Sequence, residues 1–493
     1  MTMEATAATL RVGELSKQFI GGQWRDGGTG KVLENRNPFS GDVLARYPAA
    51  SPEDLDAAYR AAESARVEWR EMNAYARRTV FENAVGFVEE NRDAIVAMII
   101  EEVGGTALKA NFEIGLVVDI LKEAGTFPLR MEGKILPSPI EGRENYLFRE
   151  PLGVVGVISP FNFPFFLSMK PVATALGAGN AVVLKPHEDT IVTGGTLLAR
   201  IFEAAGLPPG VLNVVLTDID TIGDGFVEHP VPRAIVFTGS NAVGAHVAEV
   251  AGRHLKKVLL ELGGNNAFIV LDDADLDLAV DAAVFSRFTH QGQICMSANR
   301  VLVQRGIRQA FEEKYLAKVR ALTVGDPAAS ETIIGPVINE KQAAGLAGMV
   351  ERAVAAGARP LVRGEVEGTM VHPTVLTDAR PDMEIARVEM FGPVVLLMEF
   401  DTDGDAVRMA NDSDYGLSGA VHTSNIERGL AVAKQVETGM IHINDTSIHD
   451  EPIVAFGGSK ASGIGRLNGQ WSLDEFTEMK WISVNRGRRR FPY

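Results

Sequence analysis

One cysteine occurs in 493 residues, Cys295. A lone thiol excludes an internal disulfide and any cysteine-built zinc or iron–sulfur centre, so no metal site is expected. What remains is a buried filler or a nucleophile. A free thiol without disulfides fits a reducing compartment, and the cytoplasm is the expectation. Long apolar runs are also missing: nothing approaches the roughly 18 residues of a membrane span. Residues 1–18 carry Glu4, Arg11, Glu14 and Lys17 around no compact apolar centre, which does not read as a secretory signal. Positive charge is scarce, with 48 Lys and Arg against 64 Asp and Glu and a net charge of −16. That balance argues against nucleic acid and anionic membrane surfaces as partners. The one basic cluster, between Arg486 and Arg490, reads as a solvated or partner-contacting tail. Internal repeats and low-complexity segments are absent. So is the G-x-G-x-x-G fingerprint after a strand, which weighs against an ordinary Rossmann enzyme but not against a nucleotide site.

What is present is apolar material for more than one core: 46% hydrophobic residues, in a chain longer than one core sustains. Fifty glycines imply many tight turns and close backbone approaches. Ser51-Pro-Glu-Asp54 predicts a helix start, with a capping side chain, proline in the first turn and acids facing the helix dipole. Leu55, Ala58, Tyr59 and Ala62 then follow at helical spacing. Residues 134–150 read as an extended polar hairpin. From 153 onward, short β-rich runs at 153–159, 181–185, 212–216 and 234–237 are followed by or alternate with helical stretches near 190–205 and 241–252. Such alternation predicts right-handed crossovers and a parallel sheet covered on both faces. A second α/β pattern begins with a strand at 266–271 and a helix from about Leu276 to Thr289, with further strands at 300–304, 393–400 and 440–444.

Two strand ends attract notice. Ala234-Ile-Val-Phe-Thr-Gly-Ser240 is a strand closing in Gly239 and Ser240, with Gly244 one turn into a helix. The N–H groups of that helix start suit a pyrophosphate, although a Gly-Ser turn capping a helix is a common structural device. Lys185 closes another buried strand and is followed by Pro186, His187 and Glu188. The carboxyl ends of parallel strands face the crevice where ligands bind, and Glu188 suits a ribose diol while repelling a 2′-phosphate. A solvated strand-end lysine remains the simpler reading of Lys185 alone.

Cys295 itself closes Gln-Gly-Gln-Ile-Cys and follows Glu261 by 34 residues. Seven motifs run in order: Phe161-Asn-Phe-Pro164, Lys185-Pro-His-Glu188, Phe237-Thr-Gly-Ser240, Glu261-Leu-Gly-Gly264, Gly292-Gln-Ile-Cys295, Glu389-Met-Phe-Gly-Pro393 and Phe456-Gly-Gly-Ser-Lys460. In that order the chain resembles the aldehyde dehydrogenase superfamily over roughly residues 18–485. Ile443 to Pro452 resembles its benzaldehyde and vanillin dehydrogenase branch.

The resemblance implies an α/β fold in three parts. A Rossmann-type NAD-binding domain would span 1–132 and 151–262, a second α/β catalytic domain 263–478, and a small β oligomerisation element 133–150 and 479–493. It implies a homodimer or homotetramer, with NAD as cofactor and NADP as the second candidate. Cys295 would attack the aldehyde as a thiolate and pass through a thiohemiacetal and a thioester. The Asn162 amide and the Cys295 N–H would hold the oxyanion, and Glu261 would activate water. Ser159, Pro160, Lys185, Glu188, Gly225, Gly239, Ser240, Gly244, Leu262, Glu389 and Phe391 would bind the cofactor. Two departures stand out: Phe161 where the family usually has tryptophan, and Ala455 where proline is common, both expected near the substrate funnel.

The neighbourhood of the thiol is apolar and aromatic, with Phe163, Phe166, Met169, Ile294, Met296 and Phe456 as expected substrate-lining residues. No arginine or lysine adjoins Cys295 to pair with a distant carboxylate, which favours aromatic over semialdehyde substrates. Four other readings stay open at this level. An aliphatic or semialdehyde dehydrogenase and a coenzyme A-acylating enzyme are two of them. A cysteine hydrolase would need a histidine base, but His290, five residues before Cys295, is expected to be a surface or cap residue. A non-catalytic homologue would bind NAD without turnover.

Overall fold

The computed structural model describes residues 10–493. Residues 1–9, which include Glu4 and the start of the expected 1–132 segment, lie outside the described residues. The helix at Pro52 forms as its sequence demands, running Pro52–Glu71 from a capping box. Asp54 N–H donates to Ser51 Oγ at 3.2 Å, and Ser51 N–H donates back to Asp54 Oδ2 at 3.0 Å. Its buried face, Leu55, Ala58, Tyr59 and Ala62, is the spacing read from the sequence.

The largest sheet has a parallel centre in the order Leu212–Val214, Ala181–Lys185, Val154–Ile158, Ala234–Thr238, Lys257–Glu261. Almost every residue of these strands is buried, as expected where helices cover both faces. From Val154–Ile158 the chain first winds one way, to 181 and 212, and then returns to the other side, to 234 and 257. A crevice therefore opens where Ile158 and Thr238 end. A second sheet runs Arg359–Val362, Thr374–Thr377, Val394–Phe400, Ala298–Gln304, Asn266–Val270, Gly419–His422, His442–Ile443, with only the first strand antiparallel. The chain returns from there to the first sheet, where Gly463–Ile464 pairs with Leu260 and Glu261.

The hairpin at 134–150 forms a three-stranded sheet, Lys134–Leu136, Arg143–Pro151 and Thr477–Asn485. The helical stretch expected near 190–205 breaks into three pieces. A 3-10 turn, Glu188–Thr190, leads into a π-helical stretch, Val192–Thr196, and then an α-helix, Leu197–Ala204. The break has a packing cause. A Cβ on Gly194 would lie 3.0 Å from the Pro164 ring, and one on Gly195 would lie 2.6 Å from Pro186. The run at 212–216 keeps only Leu212–Val214 as strand.

Candidate active site

A cleft of about 360 Å³ lies at the crevice. From one strand end come Ser159, Pro160, Phe161 and Asn162; from the next, Thr238, Gly239 and Ser240. Glu261, Leu262 and Gly263 follow from the third, and Cys295, Glu389 and Phe391 close it from the second sheet's side. Ser240 precedes the helix Asn241–Arg253 without capping it, so the first N–H groups remain open. The Ser159 hydroxyl is buried there with no hydrogen-bond partner in the protein. Gly239 is held in register by its N–H donating to the Glu261 carbonyl at 3.0 Å.

Other expected residues stand behind this wall. Gly244 lets the helix close on Leu262, since a Cβ would lie 2.4 Å from Leu262 Cδ2. Lys185 is buried, contrary to the solvated alternative, and its Nζ lies 3.2 Å from Glu188 Oε1. Burial alone would raise the Glu188 carboxyl, but Lys185 and His187 outweigh it and hold it below its ordinary value. Gly225 starts the short helix Gly225–Glu228 and does not line the cleft. His187, unassigned from sequence, does line it: its ring meets Phe161 edge-on at 5.2 Å, and Phe161 meets Phe391 at 5.7 Å. Phe161 therefore lines the cleft itself.

The loop that leads into Cys295 is strained and tied down. His290, Gln291 and Gly292 all have left-handed φ, at 51°, 55° and 70°. Gln291 Nε2 donates to the Pro336 carbonyl at 2.6 Å, and Gln293 Oε1 accepts from Ile338 N–H at 3.0 Å. His290 is fully buried, not a surface or cap residue. It packs edge-on against Phe163 at 5.3 Å and lines neither cavity. Burial pushes its imidazole well below the ordinary value, so it is neutral. Asn162 Nδ2 donates to the Gln293 carbonyl at 2.9 Å, which holds the amide beside the thiol loop. Asn266 Nδ2 donates to the Cys295 carbonyl at 2.7 Å.

Burial pushes the Cys295 thiol far above its ordinary value, and Glu389 and Glu261 push it the same way. Glu261 is raised to about 8, first by burial and further by Asp450, with Lys170 and Arg466 opposing. Its Oε2 is buried without a partner, so this acid is no ordinary ion-pair residue. Glu389 is raised to about 7 by burial, although Gly264 N–H donates to its Oε1 at 3.0 Å. Its turn hangs on the buried Arg287, whose guanidinium donates to the Met390 and Gly392 carbonyls and to Asn299. Nothing in the sequence advertised Arg287.

A second, apolar branch opens from the same thiol and the same Asn162, lined by Phe163, Phe166, Ile294, Met296 and Phe456. Met169 is not among its lining; it is wholly buried in the core. The helix Pro164–Gly177 explains this, because positions three and four apart share a face and Phe163, Phe166 and Leu167 take the one toward the cavity. Phe112 and Leu116 complete the wall from the helix Ala107–Ala124, some fifty residues upstream, and Ile448 and Asp450 close it. Helical spacing on that helix was the only signal for them. The open space is about 30 Å³, room for about one water. A ring enters only if side chains turn, and Phe112, 41% exposed, has the freedom to do so.

Among the described residues no group of three or more His, Cys, Asp or Glu is placed to hold a metal ion, and no helix is long and apolar enough to cross a membrane. Residues 24–482 match the model of the aldehyde dehydrogenase family. The chain is 62% identical over 480 residues to a benzaldehyde dehydrogenase of Bacillus subtilis strain 168, covering 97% of this chain and 99% of that one. It is similar in structure to a NAD-dependent benzaldehyde dehydrogenase from Corynebacterium glutamicum, with TM-score 0.89 and 45% identity over 97% of this chain and 98% of the other. A salicylaldehyde dehydrogenase from Pseudomonas putida G7, solved with salicylaldehyde, superposes with TM-score 0.94 at 34% identity, over 97% and 99% of the two chains. With its thiol, amide and carboxyl groups gathered at one crevice, the chain belongs to the aldehyde dehydrogenase family.

Proposed function

We propose that the protein oxidises aromatic aldehydes to carboxylic acids with NAD⁺ and water. The observation that carries this reading is the meeting of Cys295 and Asn162 at the junction of a nucleotide-sized cleft and a phenylalanine-lined cavity. The cleft suits a dinucleotide: an uncapped helix start for pyrophosphate, an unpartnered Ser159 hydroxyl, and the Phe161–Phe391 ring pair beside the thiol. Lys185 and Glu188 are proposed at the adenine ribose, where a carboxylate favours NAD over NADP, and Glu389 at the nicotinamide ribose. When bound, NAD⁺ accepts a hydride.

The thiol rests protonated, so its proton leaves as sulfur attacks the aldehyde carbon. Glu261, which lines the same cleft, is the proposed acceptor when its carboxyl is deprotonated. Asn162 Nδ2 and the Cys295 N–H donate to the developing oxyanion. After hydride loss the carbon is held as a thioester on Cys295. Once Glu261 has released the thiol proton to solvent, it removes a proton from the attacking water and returns it to the departing sulfur, so the acid leaves and the thiol is restored. His290, buried, neutral and off both cavities, is not the base of a hydrolase. The three-part division by sequence is proposed with this function. Residues 1–132 and 151–262 carry the cofactor, 263–478 the nucleophile, and 133–150 with 479–493 the subunit contact. The last sheet exposes Ile135 (74%) and Trp481 (62%), which suits a homodimer or homotetramer. A working thiol suits the cytoplasm.

The test is NADH formation from NAD⁺ with benzaldehyde, hexanal and succinic semialdehyde in parallel. Benzaldehyde is expected to give the highest kcat/KM, and Cys295→Ala to abolish all three. Preference for the semialdehyde would overturn the aromatic reading and leave the thiol chemistry standing.

A further inference from the structure

The apolar branch has one acidic side chain in its lining, Asp450, and aldehyde oxidation gives it no task there. It is deeply buried: the side chain is 4% exposed and its partner Lys170 1%. Lys170 Nζ donates to Asp450 Oδ2 at 2.8 Å, and Asn468 Nδ2 donates to Oδ1 at 2.7 Å. The same Nζ lies 3.6 Å from the centre of the Phe456 ring, so the pair sits directly against the cavity wall. Buried ion pairs in apolar surroundings add little net stability, and hydrophobic replacements are often as stable. A carboxylate has about four acceptor positions, and Asp450 uses two.

We propose that Asp450 accepts a hydrogen bond from a ring hydroxyl, making hydroxylated benzaldehydes the preferred substrates. The inference rests on the aromatic-aldehyde reading and adds to it a specificity-determining residue. Lys170 and Asn468 fix the carboxylate and fill one position on each oxygen. The remaining positions are left for a donor inside an otherwise apolar wall. An aldehyde lacking a donor leaves those positions unmet once its ring fills the cavity, whereas a phenol meets one of them with a charge-assisted bond.

The experiment compares kcat/KM for benzaldehyde, the three hydroxybenzaldehyde isomers and their methoxy analogues. It is run at pH 6.5, where the phenols keep their proton, on the full-length enzyme. Two variants accompany it: Asp450→Asn and the double variant Lys170→Met with Asp450→Leu, which removes the pair without orphaning either charge. One hydroxy isomer is expected to exceed both benzaldehyde and its own methoxy analogue by about 10- to 100-fold in the wild type. That ratio is expected to fall in Asp450→Asn and to approach one in the double variant. A merely structural pair would lower all substrates together and leave the ratio unchanged. An unchanged ratio in both variants, or a methoxy analogue equal to its hydroxy partner, overturns the inference while benzaldehyde turnover keeps the aromatic reading. Failure to oxidise any member of the panel overturns both.

Discussion

The cleft and the apolar branch share Cys295, Asn162 and Leu167, yet they are built from different materials. The cleft is made of strand ends, an uncapped helix start and glycines that let elements close on one another, and it stands open at about 360 Å³. The branch is made of side chains projecting from two helices and two loops, and it is nearly shut at about 30 Å³. Backbone walls are fixed by the fold and preformed for one ligand. Side-chain walls can be re-cut by substitution without touching the sheet, so the difference separates what the family shares from what an individual substrate demands.

The sharpest way to break this comparison is at the residues proposed to carry the chemistry. Glu261→Gln is expected to cut steady-state turnover by about 10³-fold and to remove the burst of NADH as well, because the same carboxylate takes the thiol proton before hydride transfer and the water proton after it. Rapid-mixing absorbance reads this; a surviving burst would move acceptance of the thiol proton elsewhere. In the wild type the hydrolytic step is expected to rise as pH increases through about 8, since Glu261 acts as a base only when deprotonated. Asn162→Ala is next, with a loss of about 10²-fold in kcat for every aldehyde, because the oxyanion donor serves all substrates alike. A substrate-selective loss would assign the amide to the branch instead.

Variants confined to one side come after. Glu188→Gln should raise the NADP⁺-to-NAD⁺ ratio of kcat/KM by about tenfold while the aldehyde KM holds, as expected on relief of one charge repulsion. Phe112→Ala should lower the KM of bulky aldehydes by a few-fold and leave that of NAD⁺ alone. Equal shifts in both constants would mean that the two cavities are coupled more closely than their separate walls imply.

The buried parallel strands were legible because continuous apolar runs such as 153–159 and 181–185 leave few alternatives, and the two form Val154–Ile158 and Ala181–Lys185. The Ser51 cap was legible because its chemistry is local. Strands Thr374–Thr377 and Gly419–His422 were not read, being four residues long with their meaning set by distant neighbours. Met169 was misplaced because proximity along the chain stood in for helical phase. His290 was misjudged because a polar residue beside a turn ordinarily meets water, whereas here a left-handed loop turns it into the interior. Phe112, Leu116 and Asp450 carry no local sign of the cavity they line, since each arrives from another part of the chain. Arg287 likewise matters only through carbonyls about a hundred residues away.

The pairing of Gly463 and Ile464 with Glu261 and Leu260 bears on how the site can move. That return strand lies in the same sheet as the carboxyl group it flanks, so Glu261 is held from both sides of its strand by backbone hydrogen bonds. With the carboxyl held in this way, entry of the aldehyde is expected to turn on rotation of rings such as Phe112, a picosecond-to-nanosecond event at an exposed position, and not on the microsecond-to-millisecond closure of a lid. Solvent viscosity should therefore have little hold on capture of the aldehyde beyond diffusion itself.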